Sequence, residues 1–171
     1  GSKSVGTPGV KVTSEQLAQD KDLSHQRQRP YRGVAARANY LAADRPDLQH
    51  AAKEVCRWMS TPTETALTAL KRVGRYLEGH TRLVYRYDFQ EATQIDCYSD
   101  TDWAGCPRTR RSTSGGCLML GRHLIKSWST TQVPISLSSG EAEFYGVVKA
   151  SSVALGYQAM MEDLGLKMAV R

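Results

Sequence analysis

Four carboxylates in two short stretches are the residues best suited to chemistry: Asp100 and Asp102 in YSDTDWAG, and Glu141 and Glu143 in LSSGEAEFYG. A carboxylate at the end of a rigid strand offers the hard oxygen that magnesium takes, and a metal held this way can activate water. Acids at a strand end are also ordinary turn formers, so Asp100 and Asp102 by themselves leave both readings open. Helical geometry separates the second pair. Ser138-Ser139-Gly140-Glu141 fits a capping box, in which Ser138 and Glu141 each satisfy a free amide at a helix start. Positions 143, 147, 150, 154, 157 and 161 fall on one helical face and read Glu, Val, Ala, Ala, Tyr, Met. Glu143 therefore heads a stripe expected to pack on a sheet. A carboxylate there is costly unless something compensates its charge, and a cation is one such partner. A strand-end Asp100 and a core-edge Glu143 can thus converge on one cation.

Other conspicuous residues have plainer readings. Arg108, Arg110 and Arg111, with Ser112 and Thr113, form a basic loop beside the acids. Phosphate contact and a solvated connection between strands are both open to it. Trp103 and Trp128 are expected in the core rather than as platforms for bases. Gly115-Gly116 reads as a bulge or turn, since no GxxxxGK follows to make a phosphate cradle. His25, His50, His80 and His123 have no partners at catalytic spacing. Cys56, Cys97, Cys106 and Cys117 form no CxxC pair, so reduced thiols are expected rather than zinc.

The elements that must position these groups change character along the chain. Residues 1–28 read as a flexible linker with a turn at Thr7-Pro8-Gly9, and Gly1-Ser2 is compatible with a cloning remnant. Residues 29–81 carry three helical stripes. The first, behind Pro30, is Tyr31, Val34, Ala35, Ala38 and Leu41. The second is Leu48, Ala51, Ala52, Val55, Trp58 and Met59, with Asp47 as its cap; the third, Ala66, Leu67, Leu70, Val73, Gly74 and Leu77, stops at Gly79. Beyond Gly79 the period becomes two: Leu83, Tyr85 and Tyr87 alternate with polar neighbours, as do Ile95, Cys97 and Ser99. Further strands are expected at 115–121 and 124–130 around a tight Gly121-Arg122-His123 turn, then a long helix from Ser138 to about Leu164. The class is α+β: a three-helix segment, a mixed sheet of three to four strands, and a long helix.

A composition with 40% hydrophobic residues supports a folded core. No apolar run approaches the roughly 18 residues of a membrane span, and no signal-peptide stretch opens the chain. An intracellular protein, in a cytoplasmic particle or the nucleus and not secreted, is expected, with no membrane partner. Of the net +6, residues 29–81 supply +4, with nine Lys/Arg against five acids. That is compatible with phosphate contact and equally with a solvated helix surface.

Five blocks in order, YRGVAARANYLAADRPDLQHAAKEVCRWMSTPT, LKRVGRYLEGHTRLVYRY, CYSDTDWAG, RRSTSGGCLMLG and SWSTTQVPISLSSGEAEFYG, resemble the Pol polyproteins of copia-type retrotransposons. The likeness runs from about Tyr31 to Leu166, at the junction where the reverse transcriptase region meets ribonuclease H. It implies a linker (1–28), the helical connection segment of reverse transcriptase (29–81), and the N-terminal half of a ribonuclease H-like domain (82–171). It implies hydrolysis of the RNA strand of an RNA–DNA hybrid with two Mg2+ ions, Mn2+ being an alternative, held by clustered carboxylates. The acid of YSD falls on Asp100 and the helix acid of EAE on Glu143. Asp102 belongs to the pattern without an assigned metal role. In the family a further strand bearing an Asp follows the GL that ends the helix, and another acidic or His-containing segment comes later. The chain is therefore expected to be C-terminally truncated and inactive alone, its partners being the polymerase region upstream, the rest of the domain downstream and the hybrid. Asp163 is no convincing substitute for those acids. Two rival readings are a non-catalytic nucleic-acid-binding or scaffolding remnant of a decayed or domesticated element, and an integrase-type nuclease. The latter expects a second strand Asp before the helix, which is lacking here.

Overall fold

A computed structural model describes residues 3–171, so Gly1 and Ser2 lie outside the described residues. The chain divides into two compact units, one ending at Val84 and the other spanning Tyr85–Arg171.

The first unit is helical. It contains α1 (Ser14–Ala18), α2 (His25–Leu41), α3 (Pro46–Cys56) and α4 (Glu64–Gly79). The three stripes legible in the sequence supply its core: Tyr31, Ala35 and Ala38 from α2, Leu48, Ala51, Ala52 and Val55 from α3, and Ala66, Leu70 and Val73 from α4. Tyr31 is buried whole because its hydroxyl donates to the Val55 carbonyl at 2.6 Å, which satisfies its one polar atom. Val34 and Leu41, expected in the first stripe, lie at the surface.

Three local expectations need correction. Residues 14–28, read as part of a linker, hold α1 and the start of α2. Thr13 and Gln16 make a reciprocal capping box, Leu23 is buried, and Leu23 N–H donates to the Pro62 carbonyl. Pro30 lies inside α2 rather than in its first turn, because the helix starts at His25. Asp47 does not cap α3. Pro46 takes the first position of that helix, and Asp47 instead accepts two hydrogen bonds from the Arg45 guanidinium (2.9 and 2.7 Å) and one from the Tyr76 hydroxyl. The Arg45 hydrogen bonds hold the Asp47 carboxyl below its ordinary range against the opposing effect of burial.

The second unit is α+β: β1 (Gln94–Asp102), β2 (Thr113–Leu120), β3 (His123–Thr131), α5 (Ser139–Asp163) and β4 (Ala169–Val170). The sheet order is β3-β2-β1-β4, with β1, β2 and β3 an antiparallel meander and β4 parallel to β1. The hairpin turn is Gly121-Arg122, with Gly121 in the left-handed region at φ 55°. Helix α5 lies on one face of the sheet, and Ile95, Leu118, Trp128, Ala150 and Ala154 form the core between them.

The alternation at Leu83, Tyr85 and Tyr87 does not make a strand; residues 81–93 have no regular structure. Its side chains serve the hairpin instead. Tyr87 packs edge-on against His123, and the Gln90 amide donates to the Leu120 carbonyl while its oxygen accepts from Arg122 N–H. Gly115-Gly116 is neither bulge nor turn. Both lie inside β2, and the irregularity of that strand falls between Leu118 and Met119. Gly116 leaves room for the Trp128 indole that lies across it.

Candidate functional site

Strand alternation fixes where the first acid points. The side of β1 that carries Ile95, Cys97 and Thr101 faces α5. Ile95 is in the shared core, the Cys97 thiol donates to the Ala150 carbonyl, and Thr101 packs on Gly146. Asp96, Tyr98, Asp100 and Asp102 take the other face, which α5 does not cover, and Asp100 is exposed there. Asp102 is drawn into the following turn, where its carboxylate occupies the space a Gly105 side chain would need. Its position is that of a turn-forming acid.

The second acid sits at the start of α5. Ser138 is the N-cap, and its hydroxyl accepts from Glu141 N–H at 3.1 Å. The expected reciprocal half of the box is displaced by one residue: the Glu141 carboxylate accepts from Leu137 N–H at 2.7 Å rather than from Ser138. Ser138→Ala should cost about 0.5–2 kcal/mol of stability, read from thermal unfolding, since an orphan amide loses its acceptor.

The stripe of α5 that meets the sheet is Ala142, Gly146, Ala150 and Ala154, with Val153, Tyr157 and Met161 beside it. Its first turns depart from the expected face, for Val147 is 53% exposed. Small residues win because the helix lies close. A Cβ on Gly146 would stand 2.6 Å from Thr101 Cγ2. Glu143 therefore flanks the buried stripe and does not head it, and it is only partly buried. Asp100 and Glu143 belong to the same end of one β1–α5 unit, since Gly146 abuts Thr101, the neighbour of Asp100. They are not set face to face across that interface.

Both acids offer the hard oxygens a magnesium ion takes, so their chemistry fits such a cation. Their number does not complete a two-ion centre. Among the described residues, no group of three or more His, Cys, Asp or Glu is gathered so as to hold a metal.

Arg108, Arg110 and Arg111 are exposed on the loop between β1 and β2. The loop is built, not slack. Cys106 N–H donates to the Arg111 carbonyl and Arg110 N–H to the Cys106 carbonyl, while Ala104 and Arg110 adopt positive φ of 51° and 58°. Ala104 N–H also donates to the buried Ser112 hydroxyl. Of the two tryptophans expected in the core, Trp128 is there and Trp103 is not. Trp103 is 45% exposed, with its indole N–H donating to the Ser136 carbonyl.

Beneath this loop lies a buried polar cluster that no sequence motif marks: Ser112, Ser114, Gln132 and Ser136. Gln132 N–H donates to the Ser112 carbonyl. Its side-chain amide donates to Ser114 Oγ and to the Ala142 carbonyl, both at 2.9 Å, and its side-chain oxygen accepts from Ser136 Oγ at 3.0 Å. The one available signal was Ser112 and Ser114, alternate polar residues in a segment that also packs inward.

Comparison with known proteins places the geometry in context. The chain is similar to the retrovirus-related Pol polyprotein from transposon RE1 of Arabidopsis thaliana, at 36% identity over 138 residues, covering 81% of this chain and 9% of that protein. It is similar to the corresponding polyprotein of transposon RE2 from the same plant, at 35% identity over 139 residues, 81% of this chain and 10% of that protein. A shorter relative is the secreted RxLR effector protein 161 of Plasmopara viticola, 36% identical over 129 residues, 74% of this chain and 89% of that protein. The chain thus spans about a tenth of the length of the transposon polyproteins it matches. No protein-family model matches the chain, and no solved structure matches it. Among the described residues, no helix is long and apolar enough to cross a membrane.

Proposed function

Because the chain belongs to the Pol polyproteins of copia-type transposons, we propose that it is the connection segment of reverse transcriptase followed by the leading part of its ribonuclease H domain. The parent activity is hydrolysis of the RNA strand of an RNA–DNA hybrid during reverse transcription. Asp100 and Glu143 are two of the carboxylates that hold its magnesium ions, which when bound supply an activated water and charge stabilisation at the phosphodiester. The remaining ligands are expected from the polyprotein beyond Arg171.

The observation that supports this reading best is the pairing of β4. An antiparallel meander, a long helix and a strand returning parallel to the first strand bring the end of the chain alongside β1. Gln94 pairs with Ala169 and Ile95 with Val170, and the ladder continues as Arg171 N–H donates to the Ile95 carbonyl and Cys97 N–H to that of Arg171. Asp100 lies five residues beyond Ile95. A strand that ran on in this register would bring its fifth residue after Val170 beside Asp100, the position a third carboxylate needs. Asp100 is exposed, so a phosphodiester can approach it.

Arg108, Arg110 and Arg111, on the loop that follows β1, contact the hybrid backbone in this reading. Binding of a hybrid by the 171-residue chain should weaken steeply with salt. Arg110→Ala and Arg111→Ala should each reduce the log–log salt slope by about 0.9. A slope unchanged in both variants removes the loop from the interface. The direct test of the function is whether a polyprotein segment extending beyond Arg171 cuts the RNA strand of a hybrid while sparing a DNA duplex.

A further inference from the structure

We propose that Gln132 is the positioning residue of this site, the side chain that fixes the Glu143-bearing start of α5 to the sheet that carries Asp100. The proposal rests on the ribonuclease H reading given above. The hydrogen bonds at the helix start are of two kinds. Ser138 and Glu141 satisfy amides within residues 137–141, so they fix the first turn to itself. Gln132 acts between elements. Its NH2 group divides two donors between Ser114 Oγ on β2 and the carbonyl of Ala142, the residue before Glu143.

The rest of the amide is also held. Its oxygen accepts from Ser136, whose own carbonyl accepts from the Trp103 indole, one residue past the end of β1. Gln132 N–H is bonded to Ser112, whose hydroxyl receives Ala104 N–H in the loop that follows Asp102. Ser114 pairs with Thr101 in the β1–β2 ladder, beside Asp100. Gln132 therefore ties the Glu143-bearing start of α5 directly to β2, the strand that pairs with the one carrying Asp100.

The chemistry of an amide is specific to this task. Two donors and an acceptor are needed on one planar group: glutamate has no donors when ionised, and methionine has neither donor nor strong acceptor. Gln132 is 7% exposed, so water does not replace the lost bonds at low cost. Lys149 makes a separate tie of α5 to the sheet, donating to Thr130 Oγ1 at 2.9 Å further along the helix.

The test uses Gln132→Met, which keeps the length and removes the hydrogen bonds, with Lys149→Met as the control that loses the distant tie. In the 171-residue chain, amide exchange should show protection lost by about ten-fold or more in the first turns of α5 for Gln132→Met, with Leu118 in β2 still protected. In a polyprotein segment continuing past Arg171, Gln132→Met should lower kcat for hybrid cleavage by about 10- to 100-fold with little change in KM. Lys149→Met should stay near the parent. Wild-type kcat in Gln132→Met, beside an inactive Asp100→Asn, overturns the proposal while leaving the ribonuclease H reading intact. If the parent segment itself cuts no hybrid, that reading fails, and the exchange measurement alone decides the clamp: unchanged protection at the start of α5 overturns it. Should Gln132→Met unfold the unit, Ser114→Ala and Ser136→Ala each remove one of its partners. Absence of the same local loss of protection in both overturns the proposal.

Discussion

Asp100→Asn, placed in a polyprotein segment that continues past Arg171, should reduce magnesium-dependent hydrolysis of an RNA–DNA hybrid to background, and Glu143→Gln should do the same. The expectation follows from charge. A two-ion centre would bring four positive charges together, and the carboxylates that hold the ions would have to offset their mutual repulsion. Every carboxylate removed leaves that repulsion less compensated, and water competes for each octahedral position. An amide keeps the shape of the side chain and loses its charge, so folding should survive while metal binding does not. In the 171-residue chain without metal, Glu143→Gln should change the unfolding temperature little, because Glu143 flanks the buried stripe and is only partly buried. A large loss of stability from Glu143→Gln would mark a structural acid. Retained cleavage by either variant would remove that residue from the metal site.

The second large effect concerns packing. Gly116→Ala should destabilise the second unit by about 2–4 kcal/mol, lowering its unfolding midpoint by on the order of 10 °C or more. The added Cβ would stand 2.2 Å from Trp128 Cζ2 and 2.6 Å from the Tyr98 backbone oxygen. The indole is buried and the Tyr98 oxygen belongs to β1, so neither can withdraw. Gly115→Ala is the matched comparison. Its nearest contacts are 3.8 Å to the Asp100 oxygen and 3.9 Å to the Trp128 oxygen, ordinary van der Waals distances. It should be near neutral, since a strand position gains from losing glycine's backbone freedom. Equal costs at the two positions would mean that Trp128 does not lie across Gly116.

The helical unit was legible because its stripes follow the 3.6-residue period over ten or more residues each, and Tyr31, Leu48 and Leu70 are buried as that period requires. The β2–β3 hairpin was legible from Gly121, and the helix start from Ser138. The alternation at Leu83, Tyr85 and Tyr87 misleads because it reports only a chain with two unlike sides, and Tyr87 uses its side to hold the hairpin turn rather than to enter a ladder. On α5, Ala150, Ala154, Tyr157 and Met161 pack as the period requires, and only the first turns depart, where Ala142 and Gly146 meet the sheet in place of Glu143 and Val147. Hydrophobicity ranks valine above glycine, while close approach ranks them the other way. Gln132 left almost no trace in the sequence, for its role depends on Ser114, Ser136 and Ala142, which only folding brings to it. The acids themselves stood out at once. Their orientation did not, because which face of β1 meets α5 depends on the packing of both.

The most direct test of the central claim compares two lengths of the same protein on one labelled RNA–DNA hybrid in magnesium. Residues 1–171 should bind the hybrid weakly and leave its RNA strand intact, because Asp100 and Glu143 supply two carboxylates where a two-ion centre needs more. The polyprotein segment that extends β4 and carries the remaining acidic segment should cut the RNA strand. Robust magnesium-dependent cutting by residues 1–171 alone, abolished by Asp100→Ala, would show that the acids needed are already present and would contradict this account of the site. Failure of the longer segment to cut would contradict the ribonuclease H reading itself.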